Sequence, residues 1–140
     1  PYGAVLTPHP AELSRLLQLP IAEIKKDRIG VLKKYITRDD IVFVCKDART
    51  IISQGTSFCI NLNGNSGMAT GGSGDVLTGI TAAMLAGGMK PFDAACAAVR
   101  IHAEAGDMIA SRLSEHSLLA TDMITMLHDI FQGIEDIRQG

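Results

Sequence analysis

The sequence predicts an α/β fold, and three observations carry that reading. A short apolar β-type run, Ala4-Val5-Leu6, is followed by two stretches with helical spacing; three more β-type runs crowd together between Ile41 and Asn61; and nearly everything from Asp75 onward reads as helix. Strand, helical crossover, strand is the pattern of a parallel pair, whereas strands parted by a few turn residues form an antiparallel hairpin. The expected architecture is a mostly parallel sheet with an added hairpin and a helical C-terminal block. Four short strands leave little sheet for so many helices, so the sheet is expected to be incomplete.

Taken in order, Ala4–Leu6 reads as a buried strand that stops at Thr7-Pro8-His9-Pro10. The next helix is expected over Ala11–Leu19, with Leu13, Leu16 and Leu17 on one side and Pro10 in the first turn, where its missing N–H costs nothing. A second helix is expected over Ile21–Tyr35, on the loosely spaced Ile24, Ile29, Val31 and Leu32. Strands are expected at Ile41–Cys45, Thr50–Ser53 and Ser57–Asn61, separated by turns at Lys46–Arg49 and Gln54-Gly55. Val76, Leu77, Ile80, Ala83 and Met84 define one helical face that ends at Gly87-Gly88. Pro91 opens an Ala-rich helix whose small side chains imply close packing, and a last helix covers roughly Leu119–Phe131, with Thr121 and Asp122 read as its N-cap. The whole of 1–140 is read as a single domain, without repeats or an internal boundary.

Bulk properties narrow the function. With 140 residues, 46% hydrophobic and 20% charged, the chain can bury a core. A net charge of −2, with the doublets Lys25-Lys26 and Lys33-Lys34 isolated, disfavours a nucleic-acid or membrane-surface role. No apolar run reaches membrane-spanning length. Cys45, Cys59 and Cys96 form no CxxC pair and read as reduced, buried thiols of a cytoplasmic protein. Pro1-Tyr2-Gly3 runs straight into the first strand without an initiator Met, so the chain is expected to begin inside a longer gene product.

The densest chemical signal is Gly67-Met68-Ala69-Thr70-Gly71-Gly72-Ser73-Gly74-Asp75-Val76-Leu77-Thr78-Gly79. Glycines let successive N–H groups converge on an anion, and a helix starting near Gly74 adds free donors and the positive end of its dipole. This is a phosphate cradle without a lysine. It is not a Walker loop, since no Gly-Lys-Ser/Thr follows, and Leu77 stands where the dinucleotide fingerprint needs its third glycine. Asp75 sits in the first helical turn, where any acid is stabilising by up to about 1 kcal/mol. Beside a phosphate, its carboxylate becomes useful if it orients or deprotonates an attacking hydroxyl.

Two further segments could bear ligands. Thr7-Pro8-His9-Pro10 follows a strand, the position at which open α/β sheets bind substrates, although a turn histidine satisfied by backbone is an equally simple reading. Glu12 reads as a favourable first-turn acid. Lys46-Asp47-Ala48-Arg49-Thr50 offers cations and a hydroxyl, or is simply a charged hairpin turn. His102, Glu104 and Asp107 are metal-ligand types, but their spacing does not put all three on one helical face, and they read as structural.

The glycine segment resembles the anion-hole loop of ribokinase-like enzymes and, more narrowly, that of the ADP-dependent NAD(P)H-hydrate dehydratases. Thr7-Pro8-His9-Pro10, the Lys-x-Ala-x-Thr pattern at Lys46, Ala48 and Thr50, Pro91–Ala95, His102–Asp107 and Leu118–Ile124 are similar to further stretches of that family. The resemblance implies the C-terminal half of a ribokinase-like three-layer sandwich. It implies ADP-dependent dehydration of the S epimer of hydrated NADH and NADPH, with Mg2+ on the nucleotide. Asp75 would be catalytic and, with His9, would bind the hydrate; Lys46, Asp47, Ala48, Arg49, Thr50, Gly72, Ser73 and Gly74 would bind the nucleotide; no protein metal site is implied. The family's greater length implies association with a missing N-terminal half, or a homo-oligomer. Two rivals stand beside this: a small-molecule kinase of the same fold acting on a hydroxymethylpyrimidine or thiazole alcohol, and a non-catalytic nucleotide-binding module.

Overall fold

The structure is a computed structural model that describes residues 3–139; Pro1 and Tyr2, which carried part of the reading of an internal start, lie outside the described residues. The described residues form strands β1 (Ala4–Leu6), β2 (Ile41–Cys45), β3 (Ile51–Gln54) and β4 (Ser57–Ile60), and helices α1 (Pro10–Leu17), α2 (Ile21–Lys26), α3 (Arg28–Tyr35), α4 (Ser73–Ala86), α5 (Pro91–Arg112) and α6 (Ala120–Gln139). They fall into two compact units. The first holds the described residues up to Leu62 together with Gly88–Cys96; the second holds Asn63–Gly87 and the described residues from Ala97 onward.

The first unit is built on a sheet of order β1-β2-β3-β4. β1 and β2 are parallel, joined through α1, α2 and α3, as expected of a crossover. β2 with β3 and β3 with β4 are antiparallel, because the turns that join them are too short to cross over. The expected mostly parallel sheet is thus corrected to a mixed one: among the described strands, two of the three pairings are antiparallel. β1 lies at one edge with Leu6 exposed, not buried as the apolar run suggested.

Register divides the side chains. Cys45 pairs with Ile51 and Phe43 with Ser53, while Val44 pairs with Ile52 on the alternate residues. Since side chains alternate along a strand, Phe43, Cys45 and Ile51 share a face. That face belongs to the core with Leu13 of α1, Ile24 of α2 and Val31, Leu32 and Ile36 from α3 and its C-cap; Leu17, Leu19 and Phe58 pack against it. Burial pushes the Cys45 thiol up to about 12, so it is inert at neutral pH. The other face carries Val42, Val44 and Ile52, all fully buried. Cys59, opposite Ile52, is in thiol contact with Cys96 of α5, where burial followed by the Cys59 thiol raises Cys96 to about 12. Of the three cysteines only Cys45 is fully buried, a partial departure from expectation.

The single helix expected over Ile21–Tyr35 is two. Asp27 adopts φ −148°, ψ 76°, and its carboxylate accepts from the Gly30 amide 2.9 Å away, ending α2 and capping α3. An aspartate that satisfies an orphan amide outcompetes its own weak helical propensity.

In the second unit, α4 begins at Ser73, one residue before the start expected near Gly74, and its buried positions are Ser73, Leu77, Ile80 and Thr81. Thr81 replaces the expected Ala83 because its hydroxyl donates to the Leu77 carbonyl and is thereby satisfied inside the helix. In α5 of this unit, Ala98, Ala103 and Ala105 are buried, as the small-residue pattern implied. α6 starts at Ala120, and the expected Thr121–Asp122 cap resolves differently: Asp122 reaches back to accept from the Leu119 amide at 2.9 Å. No helix among the described residues is long and apolar enough to cross a membrane.

Ile52, with no solvent exposure at the centre of the sheet, sets the stability of the first unit. Ile52→Ala is expected to cost about 2–5 kcal/mol, read as a lower denaturant midpoint at unchanged slope.

Candidate functional site

The glycine loop lies in the second unit and is held at both ends by α5. At its entry, the Asp107 carboxylate accepts from the Gly64 amide and from Asn65 Nδ2, each at 2.9 Å. Asn65 Oδ1 in turn accepts from the Gly67 amide at 3.1 Å. Met68 packs on Gly106, where an added Cβ would lie 2.5 Å from the Met68 sulfur. Gly67 passes so near the backbone at Glu115 that a Cβ would come within 2.2 Å of the Glu115 carbonyl oxygen. At the exit, buried His102 brings Nε2 to 3.0 Å from the Ser73 carbonyl and 3.2 Å from Ser73 Oγ.

Between these anchors the chain is open. Gly72 takes φ +87°, a left-handed conformation that favours glycine, and is the N-cap of α4 with no side-chain bond to the helix. Its carbonyl accepts from the amides of Asp75 (3.0 Å) and Val76 (3.1 Å), and the Ser73 amide reaches the Thr70 carbonyl at 3.3 Å. Among the described residues, the amides of Gly71, Gly72 and Gly74 have no protein partner. Gly71 and Gly72 are solvent-exposed and Gly74 half-exposed. A helix N-terminus with unspent donors and a positive dipole end is suited to an anion. Asp75 is exposed in the first turn, and its carboxylate has neither a hydrogen bond nor an ion pair among the described residues.

The remaining candidates lie in the first unit, at the C-terminal ends of the parallel strands. His9 is the N-cap of α1: Nδ1 accepts from the amides of Ala11 (3.2 Å) and Glu12 (3.3 Å), while Glu12 Oε2 accepts from the His9 amide at 2.7 Å. Amides can only donate, so Nδ1 is unprotonated and the ring proton is on Nε2, 3.2 Å from Glu12 Oε1. Glu12 is therefore half of a capping box, more than the first-turn acid expected. The His9 amide holds the Glu12 carboxyl below its ordinary value against burial, with the charges of Lys46 and Arg15 assisting. With the folded pKa depressed, this contribution is present above the unfolded value and lost as pH falls through the folded one.

The Lys46 amide donates to the Pro8 carbonyl at 3.0 Å, tying the loop after β2 to the loop after β1. Asp47 is engaged by its own turn, through the Ala48 amide at 2.9 Å, and by Arg28 at 3.8 Å. Arg49 donates to the Leu62 carbonyl at 3.0 Å, and Thr50 Oγ1 lies 3.5 Å from the Asp47 carbonyl. Lys46 and Thr50 are half-buried and Ala48 exposed. His9 and the Lys46–Thr50 turn are thus gathered within one unit; Gly72, Ser73, Gly74 and Asp75 are gathered within the other. Sequence reasoning missed Asp107 and His102 as anchors of the loop. The signal was present in their position on an Ala-rich helix that also carries Gly106, which allows a backbone to approach closely.

Comparison with known proteins gives a consistent result. A family model described as NAD(P)H-hydrate dehydratase matches residues 2–129. The chain is 42% identical over 130 residues to the bifunctional NAD(P)H-hydrate repair enzyme of Escherichia coli K12, covering 92% of the chain and 25% of that protein. It is 33% identical over 132 residues to the ADP-dependent (S)-NAD(P)H-hydrate dehydratase of Bacillus subtilis, covering 94% of the chain and 48% of the relative. The solved ADP/ATP-dependent NAD(P)H-hydrate dehydratase of B. subtilis, co-crystallised with ATP/Mg2+, superposes with a TM-score of 0.85 at 32% identity, over 91% of this chain and 47% of that one. A ribokinase-like superfamily protein of Enterococcus faecalis V583 gives 0.80 at 33% identity, over 92% and 44%. The fold is ribokinase-like, and the chain spans about a quarter of the bifunctional relatives and about half of the single-activity ones.

The anchored entry of the loop and its open middle should respond differently to one added methyl. Gly67→Ala is expected to destabilise by about 1–3 kcal/mol, because the Glu115 backbone has to move. Gly71→Ala, whose Cβ would meet nothing within 4 Å, is expected to stay within about 0.5 kcal/mol of the parent in the same denaturation measurement.

Proposed function

Because this chain belongs to the NAD(P)H-hydrate dehydratase family, we propose that it carries out ADP-dependent dehydration of the S epimer of hydrated NADH and NADPH. The observation that carries the reading is the loop at the start of α4, with three open amides and an unengaged carboxylate one residue beyond Gly74. A kinase-like machine suits the reaction. The hydroxyl of the hydrated ring leaves poorly; once phosphorylated it leaves readily.

In the proposed sequence, Asp75 orients the ring hydroxyl and accepts its proton as the oxygen attacks the β-phosphorus of ADP. The bond to the bridging oxygen breaks and AMP departs. The amides around Gly72, Ser73 and Gly74 stabilise the charge on the transferring group, as preorganised donors aimed at developing charge do. Loss of phosphate from the ring, with loss of a ring proton, restores the double bond. His9 holds the hydrate, and the Lys46–Thr50 turn (Lys46, Asp47, Ala48, Arg49, Thr50) receives the nucleotide. Among the described residues no three acidic, histidine or cysteine side chains gather as a ligand set; Mg2+ is proposed to ride on the nucleotide's own phosphates, where it shields their charge. The similar single-activity enzymes are about twice as long as this chain, so the proposed activity includes the rest of that domain or a neighbouring subunit. The setting proposed is the cytoplasm, where the three free thiols stay reduced.

Incubation with hydrated NADH and ADP should restore the near-ultraviolet absorbance of the reduced nicotinamide, which an alcohol kinase would not do. Asp75→Asn should lower kcat by about a hundredfold or more, as loss of a positioned base does, while ADP affinity stays within about threefold. Unaltered turnover in that variant would remove Asp75 from the mechanism.

A further inference from the structure

We infer that His102 is a positioning residue for the anion-binding loop: it fixes Ser73, and thereby the direction in which the neighbouring Gly74 amide points. The inference rests on the functional reading above and adds a residue to it. His102 is 9% exposed and lies on α5, a turn before Gly106 and Asp107, the residues that hold the loop's entry. Its Nε2 meets two atoms of one residue, the Ser73 carbonyl at 3.0 Å and Oγ at 3.2 Å. The carbonyl can only accept, so Nε2 carries the proton and donates.

Ser73 is the first residue of α4, and its own amide is held by a long 3.3 Å bond to Thr70. The Gly72 carbonyl is held by the amides of Asp75 and Val76, which fixes the Gly72–Ser73 peptide, whereas the Ser73 carbonyl is the one that His102 grips. A buried imidazole gripping the Ser73 carbonyl sets the peptide plane that joins Ser73 to Gly74, and hence the Gly74 N–H. An anion-binding amide is useful only if its direction is set before the charge arrives. Asp107 sets the entry of the loop and His102 its exit; neither needs to touch substrate.

The test uses the full-length protein and two variants that lack the donor. His102→Asn leaves the amide too short to reach, and His102→Leu fills the space without a donor; His102→Gln restores an N–H near the Nε2 position. In Asn or Leu variants that fold, the Kd and KM for ADP should rise about tenfold, the loss of roughly one hydrogen bond's worth of orientation. The KM for the hydrate should change little, and Gln should recover most of the nucleotide affinity. Unchanged ADP affinity in a folded Asn or Leu variant overturns the inference, as does a Gln variant no better than Asn. Failure of both donor-less variants to fold also overturns it, since the imidazole would then support the whole unit and not the loop. A parent protein that binds no ADP at all sinks the functional reading first, and this inference with it.

Discussion

Everything proposed for this chain depends on backbone amides that are left unspent without collapsing. An N–H group with no partner is costly when buried and tolerable when it faces water. The loop at the start of α4 satisfies both requirements at once. Its flanks are bound tightly, through Asp107 at Gly64 and Asn65 and through His102 at Ser73, while Gly71 and Gly72 between them face solvent. A freely flexible glycine segment would instead fold its amides onto its own carbonyls. Here both ends are fixed on α5, and the amides of Gly71, Gly72 and Gly74 have no protein partner among the described residues.

The same economy explains Asp75. At the first turn of a helix a carboxylate is favourable, so the residue stabilises the apo fold slightly and needs no partner there. The position thus favours the helix start slightly while its carboxylate stays exposed and unengaged among the described residues, open to the role proposed for it.

Much of this was legible in the sequence, for reasons that can be stated. The β2 boundaries, the turn expected at Lys46–Arg49, which extends one residue further to Thr50, and the parallel β1–β2 pair follow from local patterns that tertiary context did not overturn. The glycine loop was legible because few other purposes require so many small residues before a helix. Three of the illegible features shared one cause: a polar side chain finding a backbone group. Asp27 broke a helix by capping Gly30, Thr81 became buried by bonding Leu77, and Asp122 moved a cap by reaching Leu119. Periodicity counts apolar positions and is blind to such bonds. His102 and Asp107 were passed over in the same way, because their partners lie far along the chain and spacing on their own helix says nothing about them.

His9 shows why a structural role and a binding role need not compete. As the N-cap of α1 it commits Nδ1 to two amides, and that commitment fixes its tautomer and the plane of its ring. Glu12 then sits against Nε2–H from one side, 3.2 Å away, with both side chains about half exposed. A histidine free in a loop would present either nitrogen, at any angle, and would lose that freedom on binding. This one has already lost it in folding: Nδ1 is spent on two amides and Nε2–H faces Glu12. The binding role proposed for His9 thus starts from a ring whose orientation is already fixed, at low entropic cost.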